Sequence, residues 1–426
     1  MSDNSYVLHC AWLIRCGQTV KANQRLTVVD GILQEVIDVP ADERALIRPV
    51  ALLPALVNAH THLEFSNLPA PLTPPSPFPD WIRSVVKYRG TDLGEEQQIQ
   101  NAVNSGVAES LRLGTSIVGE ICTSDTARIS LTDALAARGD QQFNKQNMEA
   151  ICFRELLGFT ANRIADQQAV AAAFVEAFRQ SRLEGQIAKP AVTAGLSPHA
   201  PYSVHPEIVQ YSCELAQRSK LPVAMHLAET RDEVQFIESQ TGRFVEFLDG
   251  INLWQPESLQ GINCLSDYLA MIRQVDHALA IHGNYWNQQD LQLLGDCPNI
   301  TTVYCVRTHR WFGHSNHPWK QIESAGGKLI LGTDSRASNP DLSIWKELQT
   351  FCQLHPDESL VDRLPMVSTH AASAIGLSAE SVNLKVGQPF KATVVTTPAE
   401  SESTLDQSLV KDSAMVQPLA SIATMG

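Results

Sequence analysis

Short apolar runs recur along the chain, and several of them close on a histidine or an acid. Eight read as buried strands: 56–63, 115–121, 149–156, 190–197, 222–228, 278–284, 300–306 and 328–333. Stretches of helical periodicity separate most of them, including Glu96 to Leu113, Gln168 to Arg182, Pro206 to Ser219, Gln288 to Leu294 and Leu342 to Leu354. This alternation predicts an α/β fold, a (β/α)8 TIM barrel built on a parallel sheet. The pattern changes at both ends. Val7 to Ile14 and Arg25 to Ile37 are rich in β-formers around an Asp30-Gly31 turn, and Leu384 to Thr396 reads as a strand pair. The two ends are expected to join into one small β-sandwich domain. Residues 1–54 would be its first part, 55–377 the barrel, and 378–426 its second part and tail.

Two connections exceed a minimal barrel. Residues 64–94 read as a long proline-rich loop after the first barrel strand, and 240–276 lengthen the link between the fifth and sixth. Long loops on the catalytic side shape pockets. For 240–276, a packing insertion or an oligomer contact is an equal alternative.

Composition narrows the class. With 426 residues, 44% hydrophobic and 18% charged, the chain can bury a large core. A formal charge of −14 argues against nucleic acid and anionic membrane as partners. The nine cysteines form no Cys-x-x-Cys pair and are irregularly spaced, so a reducing compartment is expected rather than a disulfide framework. No apolar run approaches the roughly 18 residues of a membrane helix, and no basic leader is visible, so a cytoplasmic location is expected.

The chemistry lies at the strand ends. His60 and His62 stand at i and i+2 in the first barrel strand, so both point to one face. His226 ends the fifth strand, His282 the sixth, and Asp334 follows the eighth. In a parallel barrel these ends share the catalytic face. Each histidine alone reads as a hydrogen-bonded core residue. Together His60, His62, His226 and Asp334 make a nitrogen-and-carboxylate set suited to Zn, with Fe or Mn as alternatives. Glu229, three residues past His226, reads as a general acid/base or as an acid in the first turn of the following helix. His282 reads as a fifth ligand or as a hydrogen-bonding residue beside the attacking hydroxide. His199, in Ser197-Pro-His-Ala-Pro-Tyr202, reads as a substrate contact or as a structural turn residue. Glu64, Trp81, Arg154 and His309 lie in segments expected to reach the mouth, as substrate-binding candidates. No Gly-x-Gly-x-x-Gly follows an early strand, which disfavours a dinucleotide-dependent dehydrogenase.

At these residues the chain resembles the amidohydrolase superfamily, within it the cytosine deaminase/chlorohydrolase-like branch. The motifs are Asn58-Ala-His-Thr-His-Leu-Glu64, Ser197 to Ser203, His226-Leu-Ala-Glu-Thr230, His282-Gly-Asn-Tyr285 and Gly332 to Pro340. Phe78 to Ile82, Phe153 to Phe159 and Tyr304 to His309 look like hydrolases near aminodeoxyfutalosine deaminase. The resemblance implies that His60, His62, His226 and Asp334 bind one divalent ion per chain. It also implies that Glu229 shuttles protons, His282 orients the attacking hydroxide, and His199 contacts a small-molecule substrate. Strands three and four carry no lysine, which implies a mononuclear site. The implied reaction is hydrolytic deamination of an amino-substituted heterocycle or nucleoside with ammonia release. Ring-opening or dechlorinating hydrolysis is the alternative on the same site. A non-catalytic barrel is the rival outside enzymes, but such proteins tend to lose ligands, and here all four and Glu229 are present. Homodimers are common among such barrels. Ala55 stands where the family usually has glycine, and Val306 where proline is common.

Overall fold

The computed structural model describes residues 5–73, 75–137, 148–183, 191–419 and 422–425. Pro74 and residue 190, which opens the expected fourth barrel strand, lie outside them. The N-terminal region holds β1 (Ser5–Leu13), β2 (Lys21–Val29), β3 (Ile32–Asp38) and β4 (Arg48–Pro54). The barrel strands follow as β5 (Leu56–His62), β6 (Thr115–Cys122), β7 (Glu149–Leu156), β8 (Val192–Pro198) and β9 (Val223–Leu227). They continue as β10 (Ala278–His282), β11 (Ile300–Tyr304), β12 (Lys328–Leu331) and the two-residue β13 (Asp334–Ser335). The C-terminal region adds β14 (Ala392–Thr396), β15 (Val416–Gln417) and β16 (Ala423–Met425).

All eight expected barrel strands form within a few residues of their predicted limits. β5 to β12 pair in parallel in chain order. β13 pairs with β5, bringing Asp334 opposite Thr61 and closing the ring. Alternation sorts the side chains. Val57, Ala59, Ile151, Phe153, Leu279 and Ile281 fill the barrel interior. Cys152, Leu196, Met225 and Ala280 face outward into the layer beneath the helices.

Tight closure needs bare backbone at two places. A Cβ on Gly119 would sit 2.3 Å from the Ala59 carbonyl oxygen, and one on Gly195 would sit 2.5 Å from the Phe153 ring.

The two chain ends build one seven-stranded sheet, in which β1 pairs with β2, β4 and β16. The Asp30-Gly31 turn has positive φ at both residues (51° and 77°), the geometry of a two-residue hairpin. Leu8, Leu26, Val28, Leu52 and Val394 form this sheet's own core, while Trp12, Ile14 and Leu53 turn to the barrel. The expected strand pair over Leu384 to Thr396 is a correction: only β14 forms. Upstream, Leu384 and Gly387 adopt positive φ and turn the chain. Pro389, which has no N–H, leaves a single bridge to Ile32.

The 64–94 segment also departs from expectation, because a helix spans Phe78–Thr91 within it. Its prolines cluster before and at the start of that helix, where Pro79 is tolerated in the first turn, and none follows. The 240–276 insertion carries helices Arg243–Gly250 and Leu265–Ile272. Ala55 is buried and has no positive φ, so alanine fits the β4–β5 joint. Val306 opens the helix Val306–Trp311 at its first position, where proline fits equally well. The nine cysteines are all unpaired. Among the described residues no helix is long and apolar enough to cross a membrane.

Gly119→Ala is expected to lower the unfolding free energy by about 1–3 kcal/mol through overpacking against the β5 backbone. Urea unfolding measures it, and an unchanged midpoint would show that the strands part without cost.

Candidate active site

β5 sends the His60 and His62 rings into the C-terminal mouth, their centroids 4.8 Å apart. His226, from the end of β9, lies 4.8 Å from His60 and 5.4 Å from His62 by ring centroid. Asp334 completes the group, with Oδ1 3.5 Å from His60 Nε2 and 3.6 Å from His62 Nε2. His282, from the end of β10, has its ring 5.4 Å from that of His226. The donor atoms of His60, His62 and Asp334 lie within 4.8 Å of one another, as do those of His60, His226 and His282.

This set fits a divalent cation. His60 Nδ1 and Nε2, His62 Nδ1 and His282 Nε2 are buried without a hydrogen-bond partner among the described residues. Leaving such nitrogens buried and unpaired is costly unless something accepts their lone pairs. Nδ1 of His226 lies 3.2 Å from the His199 carbonyl. A carbonyl only accepts, so Nδ1 carries the proton and Nε2 is bare, the state a metal ligand needs. Burial depresses the proton affinity of His62 and His226 well below that of a free imidazole. Burial opposes ionisation of Asp334, but the imidazoles of His60 and His62, 3.5 and 3.6 Å away, hold it below the usual carboxylate range. His62 and His226 thus favour the neutral imidazole, and Asp334 the ionised carboxylate.

Backbone geometry aims these groups. Asp334 has φ 60° and His282 φ 76°, both in the left-handed region. Each costs a non-glycine residue about 1–2 kcal/mol. Neighbours hold them there. Ser338 Oγ donates to Asp334 Oδ2 at 2.7 Å, and His317 Nε2 donates to the His282 carbonyl at 2.9 Å. Behind Asp334, Asn58 and Thr333 exchange two hydrogen bonds. Asn339 ties the Thr333 carbonyl to Glu347, whose carboxylate takes the Arg307 guanidinium at 2.6 Å.

Glu229 is buried, its Oε1 3.4 Å from His282 Nε2 and its Oε2 accepting from the Tyr202 hydroxyl at 3.4 Å. Burial, then the charges of Asp334 and Glu233, push it well above the usual carboxylate range. Its backbone is pinned from below. Glu233 accepts from the Ala228 and Glu229 N–H groups at 2.9 and 2.8 Å, while Thr230 Oγ1 accepts from Glu233 N–H at 3.1 Å. The Thr230-Arg-Asp-Glu233 helix start is therefore real, but Glu229 lies before the helix Arg231–Ser239 and Glu233 takes the first-turn role.

A cavity of about 530 Å³ opens above this cluster. His62, His226, Glu229, His282 and Asp334 line its floor, and His199 and Trp81 its walls. His199 Nδ1 is bonded to Ser203 Oγ at 2.6 Å, and its Nε2 lies 3.9 Å from Glu155 Oε1. Glu64, Arg154 and His309 do not line the cavity. Glu64 is buried and accepts from the Thr123 hydroxyl at 2.6 and 2.7 Å. Arg154 alternates with inward-facing Phe153 and shares the outward side of β7 with Cys152. His309 lies on the helix Val306–Trp311, its ring 5.4 Å from those of Tyr304 and His314.

Several residues near the site escaped the sequence reading. Glu155 is buried and faces Arg89 Nη1 at 3.5 Å. It sits one position after Arg154, where a strand presents the opposite face. Glu233 carried a visible signal, the Thr-x-x-Glu spacing of a capping box. Tyr202 and His317 carried none, because their partners lie 27 and 35 residues away, whereas Ser338 stands only four residues after its partner Asp334.

Comparison with known proteins places the chain. The model of the amidohydrolase family matches residues 51–420. An adenosine deaminase of Helicobacter pylori is 27% identical over 305 residues, covering 71% of this chain and 68% of the relative. The crystal structure of Helicobacter pylori aminofutalosine deaminase with methylthio-coformycin superposes with TM-score 0.76 and 21% identity, over 96% of this chain and 97% of that one. A zinc-complexed atrazine chlorohydrolase of Arthrobacter aurescens gives TM-score 0.74 at 14% identity, over 96% and 92% of the two chains.

Two substitutions test the centre. His226→Ala is expected to abolish stoichiometric metal, read by elemental analysis of purified protein, and unchanged stoichiometry would count against the site. Ser338→Ala should keep the fold and weaken metal affinity about 10- to 100-fold, as loss of a group orienting a ligand does, measured by competition with a chelator.

Proposed function

The chain belongs to the amidohydrolase family, and we propose that it removes an amino group hydrolytically from an amino-substituted heterocycle or its nucleoside, releasing ammonia. One observation carries this reading: a buried Glu229 carboxyl, pushed well above the usual carboxylate range by burial, beside the histidine–aspartate cluster. An amine leaves carbon only after it gains a proton, whereas chloride leaves without one, so a floor with two carboxyl groups to pass protons, Glu229 and Asp334, favours the amine. The relatives named as deaminases support the same choice.

His60, His62, His226 and Asp334 would hold one zinc ion per chain, with iron or manganese as alternatives. When bound, the ion supplies a water of lowered pKa, from about 15.7 toward about 7, beside the reacting carbon. The protein's own groups move the protons. Glu229 gives its proton to the ring nitrogen next to the carbon that carries the amine. Asp334 accepts a proton from the water as it adds to that carbon. His282 hydrogen-bonds the incoming oxygen. Asp334 then returns its proton to the amino group, which departs as ammonia. The proton of the new hydroxyl goes back to Glu229 as the carbonyl forms. Tyr202 and Glu233 keep the Glu229 carboxyl in place through this exchange. His199 would contact the substrate from the wall.

Ammonia release by the zinc-loaded protein across aminopurines, their nucleosides and cytosine derivatives is the test. Turnover of one class is expected, falling by at least about 10²-fold in Glu229→Gln with metal content unchanged. Full activity in Glu229→Gln would sink the assigned role. Chloride release from a chlorotriazine, with ammonia from none of the panel, would replace deamination by dechlorination.

A further inference from the structure

In the proposed reaction Glu229 and His282 act on neighbouring atoms of one substrate, yet they stand on different segments. Glu229 follows β9, and His282 ends β10. The ladder between these strands stops at the pair His282 and Leu227. Beyond it both chains leave extended geometry. Ala228 has φ 54°, His282 φ 76° and Gly283 φ 65°. For Ala228 and His282 that region is unfavourable. Glu229 Oε1 nevertheless stands 3.4 Å from His282 Nε2. Something other than the ladder has to keep the two chains in register here.

Two hydrogen bonds carry the pairing past its last rung. The Gly283 N–H donates to the Leu227 carbonyl at 3.0 Å. The Asn284 side chain then reaches across, its Nδ2 donating to the Glu229 carbonyl at 2.9 Å. A side-chain amide thus takes the place of a backbone rung. Glu233 grips the N–H of Glu229 from within its own segment, and Tyr202 reaches the carboxyl from the segment after β8. The Asn284 bond comes instead from the segment that carries His282.

The amide has one workable orientation. Asn284 is buried, and its Oδ1 has no hydrogen-bond partner among the described residues. Turning the amide over would set Oδ1 against the Glu229 carbonyl, which only accepts. The donor end is therefore committed to Glu229.

We propose that Asn284 is a positioning residue for Glu229. It locks the register between Glu229 and His282, so that proton transfer to a ring nitrogen and orientation of the oxygen at the adjacent carbon occur on one bound substrate. The consequence for turnover rests on the role given to Glu229 above.

The experiment compares the full-length metal-loaded protein as wild type, Asn284→Ala, Asn284→Leu, Glu229→Gln and the double variant Glu229→Gln with Asn284→Ala. Turnover is read as ammonia from the panel above or chloride from a chlorotriazine. In Asn284→Ala, kcat is expected to fall about 10- to 100-fold with KM changed less than about twofold and metal content unchanged. Asn284→Leu fills nearly the same space without a donor and should lose as much. In the Glu229→Gln background Asn284→Ala should cost nothing more, because the group it positions is already gone. Damage to the fold would cost as much there as in the wild type. Hydrogen exchange needs no substrate, and in Asn284→Ala it should quicken several-fold at the Ala228 and Glu229 amides but not within β9. Full kcat in Asn284→Leu, equal losses in the two backgrounds, or unchanged exchange at Glu229 overturns the proposal. Each of these, with activity lost in Glu229→Gln, leaves the role of Glu229 standing. Full activity in Glu229→Gln overturns that role and this proposal together.

Discussion

The site depends on holding polar groups out of water in a backbone conformation they do not prefer. His282 and Asp334 leave their strands with φ 76° and 60°. That geometry costs about 1–2 kcal/mol at each residue. Hydrogen bonds from His317 and Ser338 help to hold it, and so does the packed chain of Asn58, Thr333, Asn339, Glu347 and Arg307 behind Asp334. That chain links β5 to the loop after β12 and to the helices Val306–Trp311 and Ile344–Leu354, more than 240 residues later in the sequence. The barrel supplies rigidity, and the strained residues convert it into aim.

The same logic explains the acids around the cluster. Glu120 is buried beneath β5, where it accepts from the Thr61 hydroxyl at 2.5 Å and the Leu63 N–H at 2.8 Å. Burial pushes it well above the usual carboxylate range. Glu233 is raised to about 7 by burial, against the pull of three backbone N–H groups. Both side chains fasten the chain beside the clustered histidines, Glu120 around His62 and Glu233 just after His226. Glu229 is buried and raised in the same way.

What the sequence made legible follows from periodicity and range. The barrel strands were readable because a strand buried on both faces is a continuous apolar run, and the histidines and aspartate that gather at the barrel mouth because they end those runs. The helix Phe78–Thr91 was hidden by the prolines before it, although the proline-free stretch after Pro79 was there to be read. Of the strand pair expected over Leu384 to Thr396 only the second member formed, because the left-handed turns at Leu384 and Gly387 are not encoded in hydrophobicity. Arg154 was chosen for its charge at a strand end, yet the neighbouring Glu155 faces His199. One residue of register separates the two sides of a strand. His317 and Tyr202 meet their partners only through tertiary packing, which no local pattern announces.

The joint between the terminal sheet and the barrel is a single residue, Ala55, between β4 and β5. β4 is held on one side by β1 and on the other by β14, which pairs with it from Val50 to Pro54. The strand that bears His60 and His62 is therefore rooted in residues from both ends of the chain. During synthesis, β14 and β16 leave the ribosome after every barrel strand has emerged. The strand that carries His60 and His62 is made early and its root is anchored last. A nascent chain can thus gather its barrel while the strand leading into the histidine cluster still waits for a partner.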